Sequence, residues 1–174
     1  GFALGDVEDD PDAALRCVGV GKCRKTDVGS MCPSYMATGD EQHATRGRAR
    51  LLFEMLQGDL VTGGFRNEAV RQALDLCLSC KSCKSECPVG VDMATYKAEF
   101  LSHYYEGRRR PLQAYAFGLI DRWAAMAEYV PWLANLLTQV PPFSTVIKWA
   151  LGVATTRRLP RFAPKSFRRT FAST

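Results

Sequence analysis

Four cysteines within one short stretch constrain this chain more than any other feature: Cys77, Cys80, Cys83 and Cys87, at gaps of two, two and three residues, with Pro88 directly after the last. Three thiols at two-residue gaps can wrap one polynuclear centre from a single tight turn. A tetrahedral zinc site instead pairs one short cysteine couple with a distant second couple. Pro88 ends the turn and needs no N–H there. Ser79, Ser82 and Ser85, small and polar, leave backbone N–H groups between the cysteines free to bond sulfur. The chain carries seven cysteines, an odd number, and nothing in it points to export, so a disulfide framework fits poorly.

The run is the ligand pattern of bacterial two-cluster iron–sulfur proteins, in which the fourth cysteine ligates the other cluster. An earlier group, Cys17, Cys23 and Cys32 followed by Pro33, obeys the same logic with two departures: Val20 stands where a cysteine is expected, and eight residues separate Cys23 from Cys32. Exchanging the fourth ligands gives a complete [4Fe–4S] site from Cys77, Cys80, Cys83 and Cys32. Cys17, Cys23 and Cys87 remain, and three thiolates suit a [3Fe–4S] cluster, a [4Fe–4S] cluster with one foreign ligand, or nothing. His43 is a candidate for that foreign ligand, although a lone histidine, like His103, is more often a surface or core residue. Gly19-Val20-Gly21-Lys22 fails the phosphate-loop pattern because Cys23 follows the lysine. The absence of Cys-x-x-Cys-His excludes a c-type haem. A structural zinc module is kept as an alternative.

The surrounding pattern is helical, with no strand-like alternation. Val70, Ala73, Leu74 and Cys77 share one helical face, with Asn67 as N-cap and Glu68 in the first turn. That helix is expected to deliver Cys77 from its buried stripe. Asp92 caps a second helix with Met93, Tyr96, Phe100 and Tyr104 inward, and a third covers 45–57 with Leu52, Met55 and Leu56 inward. The fold expected is therefore all-α, a helical ferredoxin-like domain with cluster-binding loops, followed by short helices cut by Pro131, Pro141 and Pro142. Its expected divisions are an acidic lead at 1–14, the cluster domain at 15–110, a helical extension at 111–156, and a basic linker at 157–174. The stripes Leu133, Leu136, Leu137, Val140 and Phe143, Val146, Ile147, Ala150 read as core, or as a face that packs on another domain. The first residue is Gly rather than Met, which reads as a piece of a longer protein. The net charge of +5 is uneven, with acids gathered before Arg16 and only bases charged from Arg157 onward. The basic tail reads as a solvated linker, with docking on a neighbouring domain or an anionic membrane surface as the sharper alternative. No nucleic-acid-binding signature and no membrane-length apolar run is present, and a cytoplasmic location, at most at the inner face of the membrane, is expected.

Arg16-Cys17-Val18-Gly19-Val20-Gly21-Lys22-Cys23, Met31-Cys32-Pro33-Ser34-Tyr35, Thr45-Arg46-Gly47-Arg48-Ala49-Arg50 and the run from Cys77 through Met93 together resemble the iron–sulfur module of bacterial FAD-linked 2-hydroxyacid dehydrogenases. That group includes glycolate oxidase iron–sulfur subunits and large D-lactate or D-2-hydroxyglutarate dehydrogenase fusions. The resemblance spans roughly residues 16–171 and is densest over 17–93; its first motif departs from the usual four-cysteine form at Val20. It implies an α-helical ferredoxin fold, an FAD-binding domain or subunit as partner, and often a cysteine-rich domain following. It further implies single-electron transfer from flavin to a quinone or carrier. The chain itself has no acid–base pair, nucleophile or nicotinamide fingerprint that would make it a catalyst alone. A ferredoxin-like subunit of another redox complex, of heterodisulfide-reductase type, is the nearest rival, since it would carry the same motif.

Overall fold

The computed structural model describes residues 16–172, so the acidic lead lies outside the described residues. Within them every regular element is a helix, as expected. The chain divides into two compact units, one running to Arg108 and the other from Arg109.

The first unit holds α1 (Pro33–Thr38), α2 (Thr45–Gln57), α3 (Glu68–Asp75), α4 (Ser82–Glu86) and α5 (Met93–Tyr104), with short 3₁₀ turns at Lys22–Arg24, Glu41–His43 and Gly64–Arg66. The two expected caps are made. The Asn67 side chain accepts from the N–H groups of Ala69 and Val70, and that of Asp92 accepts from Thr95. Helix α2 packs against α3 and α5 around a core of Ala49, Leu52, Met55, Val70, Leu74, Met93 and Phe100. Phe100, 1 % exposed, is the largest apolar side chain there, and burial of that kind contributes about 2–3 kcal/mol.

Two local expectations are corrected. Leu56 is exposed although Met55 beside it is buried, because the inward face of α2 runs through Leu52 and Met55 and Leu56 falls outside it. Cys77 is half-buried but lies beyond the end of its helix; α3 stops at Asp75, and the chain leaves it before the cysteine run begins. The run is then bent by non-glycine residues in the left-handed region, Ser79 (φ 53°) and Lys81 (φ 60°), with Cys32 (φ 55°) alike in the other cysteine group. Such conformations cost about 1–3 kcal/mol each and gather at functional sites.

The second unit comprises α6 (Leu112–Gly118), α7 (Ile120–Tyr129), α8 (Pro131–Gln139), α9 (Phe143–Ala150) and α10 (Phe167–Ala172). Its stripes are not core: Leu133, Leu136, Leu137, Val140, Phe143 and Val146 are all exposed. Helices this short enclose little, and among the described residues only Ala127 and Ser144 in this unit are buried. In the stretch read as a basic linker, Phe162 accepts from the Asn135 side chain through its carbonyl and donates to it through its N–H, the Leu159 carbonyl accepts from Gln139, and Phe167–Ala172 forms α10. No helix among the described residues is long and apolar enough to cross a membrane.

Candidate iron–sulfur site

The seven thiols fall into two cavities of the first unit. The first is lined by Cys32, Cys77, Cys80 and Cys83, together with Ser79, Thr45, Arg48, Met93 and Ala94. The second is lined by Cys17, Cys23 and Cys87, with Val20, Met31, Thr45, Arg46 and Pro88. The grouping is the one obtained by exchanging fourth ligands between the motifs. Val20 lies on the wall of the second cavity, and His43 lines neither. Among the described residues no three Cys, His, Asp or Glu side chains converge as a single metal ion would require. The thiols instead stand round the walls of a space, an arrangement that could hold a body with several metal corners.

Helix N-termini face both cavities. Helix α2 begins at Thr45, which lines the two together. Its backbone N–H donates to Cys32 Sγ at 3.0 Å, and its hydroxyl lies 2.8 Å from the same sulfur. The next N–H, of Arg46, favours the thiolate of Cys23 in the other cavity. The first N–H groups of α5, from Met93 and Ala94, do the same for Cys83. Unsatisfied N–H groups and the positive end of the helix dipole suit a negatively charged ligand. Burial pushes the Cys23, Cys32 and Cys83 thiols up, and these hydrogen bonds pull the other way without cancelling it. Cys80 is exposed, and the Ser82 hydroxyl and N–H draw its thiol down.

Close packing holds α2 in place. A side chain at Gly47 would bring its Cβ to 2.0 Å from the Glu41 carbonyl oxygen, so only glycine lets the first turn of α2 lie against the Glu41–His43 turn. On the far side, Asp92 accepts the α5 cap and faces Lys81 Nζ at 3.5 Å and Lys84 Nζ at 3.4 Å. Burial opposes its ionisation, but the Thr95 bonds and the two lysines outweigh this and hold its carboxyl below the ordinary value. Glu86 accepts from the Ser30 N–H at 3.0 Å, and Ser30 Oγ lies 3.0 Å from Ser82 Oγ, so the loop before Cys32 is tied to α4.

One polar residue of the first cavity was not legible as such in the sequence. Arg48 is 2 % exposed; its Nε donates to the Ala73 carbonyl at 2.7 Å and its Nη2 to Ser34 Oγ at 2.9 Å. Within a segment of alternating arginines only its helical register, one turn after Thr45, marks it as inward.

An all-helical unit with two cysteine-lined cavities, each facing helix N-termini, defines an iron–sulfur domain of α-helical ferredoxin type. Residues 13–91 match the 4Fe–4S dicluster domain family. The kinship expected from the motifs holds beyond that segment. The chain is 28 % identical to a D-2-hydroxyglutarate dehydrogenase of Pseudomonas putida, over 90 % of this chain and 19 % of that protein. It is 26 % identical to the Escherichia coli protein of the same name, over 74 % of this chain and 16 % of that one. To the glycolate oxidase iron-sulfur subunit of Escherichia coli it is 40 % identical over 81 residues, which are 46 % of this chain and 17 % of the subunit. The chain thus spans under a fifth of the length of these curated relatives. No solved structure gives a significant match. The chain is related to these proteins through an iron–sulfur domain, a kind of domain that serves electron transfer.

Proposed function

We propose that this domain carries single electrons from a flavin to an external acceptor, a quinone or a mobile carrier, in an FAD-linked 2-hydroxyacid dehydrogenase. The observation that carries the reading is the sorting of the thiols. Four line one cavity and three the other, with the same helix N-terminus between them. In this reading Cys32, Cys77, Cys80 and Cys83 hold a [4Fe–4S] cluster. Cys17, Cys23 and Cys87 hold a second cluster, [3Fe–4S] or [4Fe–4S], with Val20 leaving one corner without a cysteine.

Oxidation of a 2-hydroxyacid to the 2-oxoacid releases two electrons and two protons, which a flavin accepts, whereas an iron–sulfur cluster passes one electron at a time. The protein's part is to bind sulfur through thiolates, to aim the N–H groups of Thr45, Met93 and Ala94 at them, and to shield the inner faces from water. The flavin belongs to a partner domain or subunit, and a cysteine-rich domain is a further expected neighbour. The exposed stripes of α8 and α9 are the natural face for one of them. A cytoplasmic location, with peripheral contact at the inner membrane through the basic tail, fits this role.

The test is anaerobic mixing of the full polypeptide, or of the assembled complex, with D-2-hydroxyglutarate, D-lactate and glycolate in turn, followed by electron paramagnetic resonance. One of the three should produce the reduced-cluster signal that dithionite produces. A cluster reduced by dithionite and by none of the three acids would overturn the dehydrogenase reading while leaving the iron–sulfur assignment intact.

A further inference from the structure

We propose that Arg48 raises the reduction potential of the cluster in the first cavity, acting as a buried counter-charge. The inference rests on the ligand reading above and deepens it.

Arg48 lines that cavity and is 2 % exposed. A guanidinium stays protonated in proteins, so this is a permanent charge shut away from water. Burying a charge is tolerated when it is paired, and among the described residues no carboxylate pairs with Arg48. The charged neighbours that favour its cationic form are Cys77, Cys32 and Cys83, three of the four thiols of the first cavity, while burial works against it. Its two hydrogen-bond acceptors, the Ala73 carbonyl and Ser34 Oγ, are neutral. The negative partner this cation lacks is what a thiolate-ligated cluster would supply.

The direction follows from charge. A cluster held by four thiolates is anionic, and reduction makes it more so. A fixed cation beside it stabilises the reduced form more than the oxidised one, where water cannot screen the pair. The other cation lining this cavity, Lys81, faces Asp92. Lys97, which does not line it, donates its Nζ hydrogens to the carbonyls of Asp75 and Cys77.

Arg48 also ties α2 to α3 and α1 through its two hydrogen bonds, so the test must separate charge from tether. Arg48→Gln removes the charge and keeps an amide donor; Arg48→Lys keeps the charge and loses the planar fork. The full polypeptide, loaded anaerobically, is titrated redox-wise, reading the paramagnetic signal that Cys32→Ser abolishes. In Arg48→Gln the ratio of reduced to oxidised cluster at fixed potential should fall at least tenfold, equivalent to a drop of about 59 mV for a one-electron couple. In Arg48→Lys it should stay within threefold of wild type. An Arg48→Gln protein with unchanged iron and sulfide and a ratio within threefold of wild type overturns the proposal. So does an Arg48→Lys protein shifted as far as Arg48→Gln. If Arg48→Gln fails to hold iron, Arg48→Lys decides alone by the same threefold and tenfold limits. Iron without sulfide in the wild-type protein would sink the ligand reading instead, and is seen before any titration.

Discussion

Gly47→Ala tests whether the N-terminus of α2 is a positioned part of the site. In an ordinary helix this substitution stabilises by up to about 1 kcal/mol, because glycine has the greater backbone freedom to lose. Here the new Cβ would stand 2.0 Å from the Glu41 carbonyl oxygen, a backbone atom that cannot swing aside. Reaching even the 3.4 Å of ordinary contact requires α2 and the Glu41–His43 turn to separate by about 1.4 Å. Overpacking of this kind costs about 1–3 kcal/mol, and contact with backbone puts this case at the upper end. After the propensity gain the net loss is about 2 kcal/mol. With a urea m-value of about 2 kcal/mol/M, the unfolding midpoint of the metal-free protein should fall by about 1 M. A displacement of that size also stretches the 3.0 Å bond from the Thr45 N–H to Cys32 Sγ beyond hydrogen-bonding range, so iron retention should fall as well. A Gly47→Ala protein as stable as wild type, or more so, with full iron would refute the claim that close approach at Gly47 sets the position of α2.

Other outcomes follow from the same geometry. In metal-free protein near neutral pH, iodoacetamide should modify Cys80 first, since it is exposed and its thiol is drawn down, and Cys23, Cys32 and Cys83 last; peptide mass spectrometry over a time course reads the order. Glu68 accepts from Arg71 and from the Tyr104 hydroxyl at 2.8 Å, and its carboxyl is depressed to about 2. Its stabilisation is therefore complete above the unfolded value near 4.5 and is lost as pH falls toward 2. Glu68→Gln should remove that component, seen as a smaller loss of stability between those pH values in thermal melts. Asp92→Ala removes the α5 cap and should cost about 0.5–2 kcal/mol in denaturant unfolding. It should also loosen the Met93 and Ala94 donors at Cys83, and an unchanged rate of iron release to a chelator would count against that link.

How far the sequence disclosed this arrangement depends on the range of the signal. Cys77 to Pro88, the caps at Asn67 and Asp92 and the span of α2 are local patterns, and each was readable because spacing alone carries it. The pairing of Cys32 with the later run was readable only through the swapped-ligand logic of two-cluster proteins. Arg48 and Gly47 were readable as members of the Thr45–Arg50 motif but not in their roles: the one is one of three alternating arginines, and the other looks like a weak helix position. Both become meaningful only when the Glu41–His43 turn and the Ala73 carbonyl are brought against α2. The stripes of α8 and α9 show the opposite failure. Their periodicity is real, but periodicity marks a face fit for burial and does not say what buries it.

The most direct measurement is iron, zinc and acid-labile sulfide per chain on anaerobically purified protein. Two occupied cavities would give about seven or eight irons with matching sulfide, falling by about four in Cys32→Ser and by the remainder in Cys87→Ser. About four irons would leave the second cavity empty and withdraw the role given to Cys17, Cys23 and Cys87. Zinc without sulfide would contradict the electron-transfer account altogether.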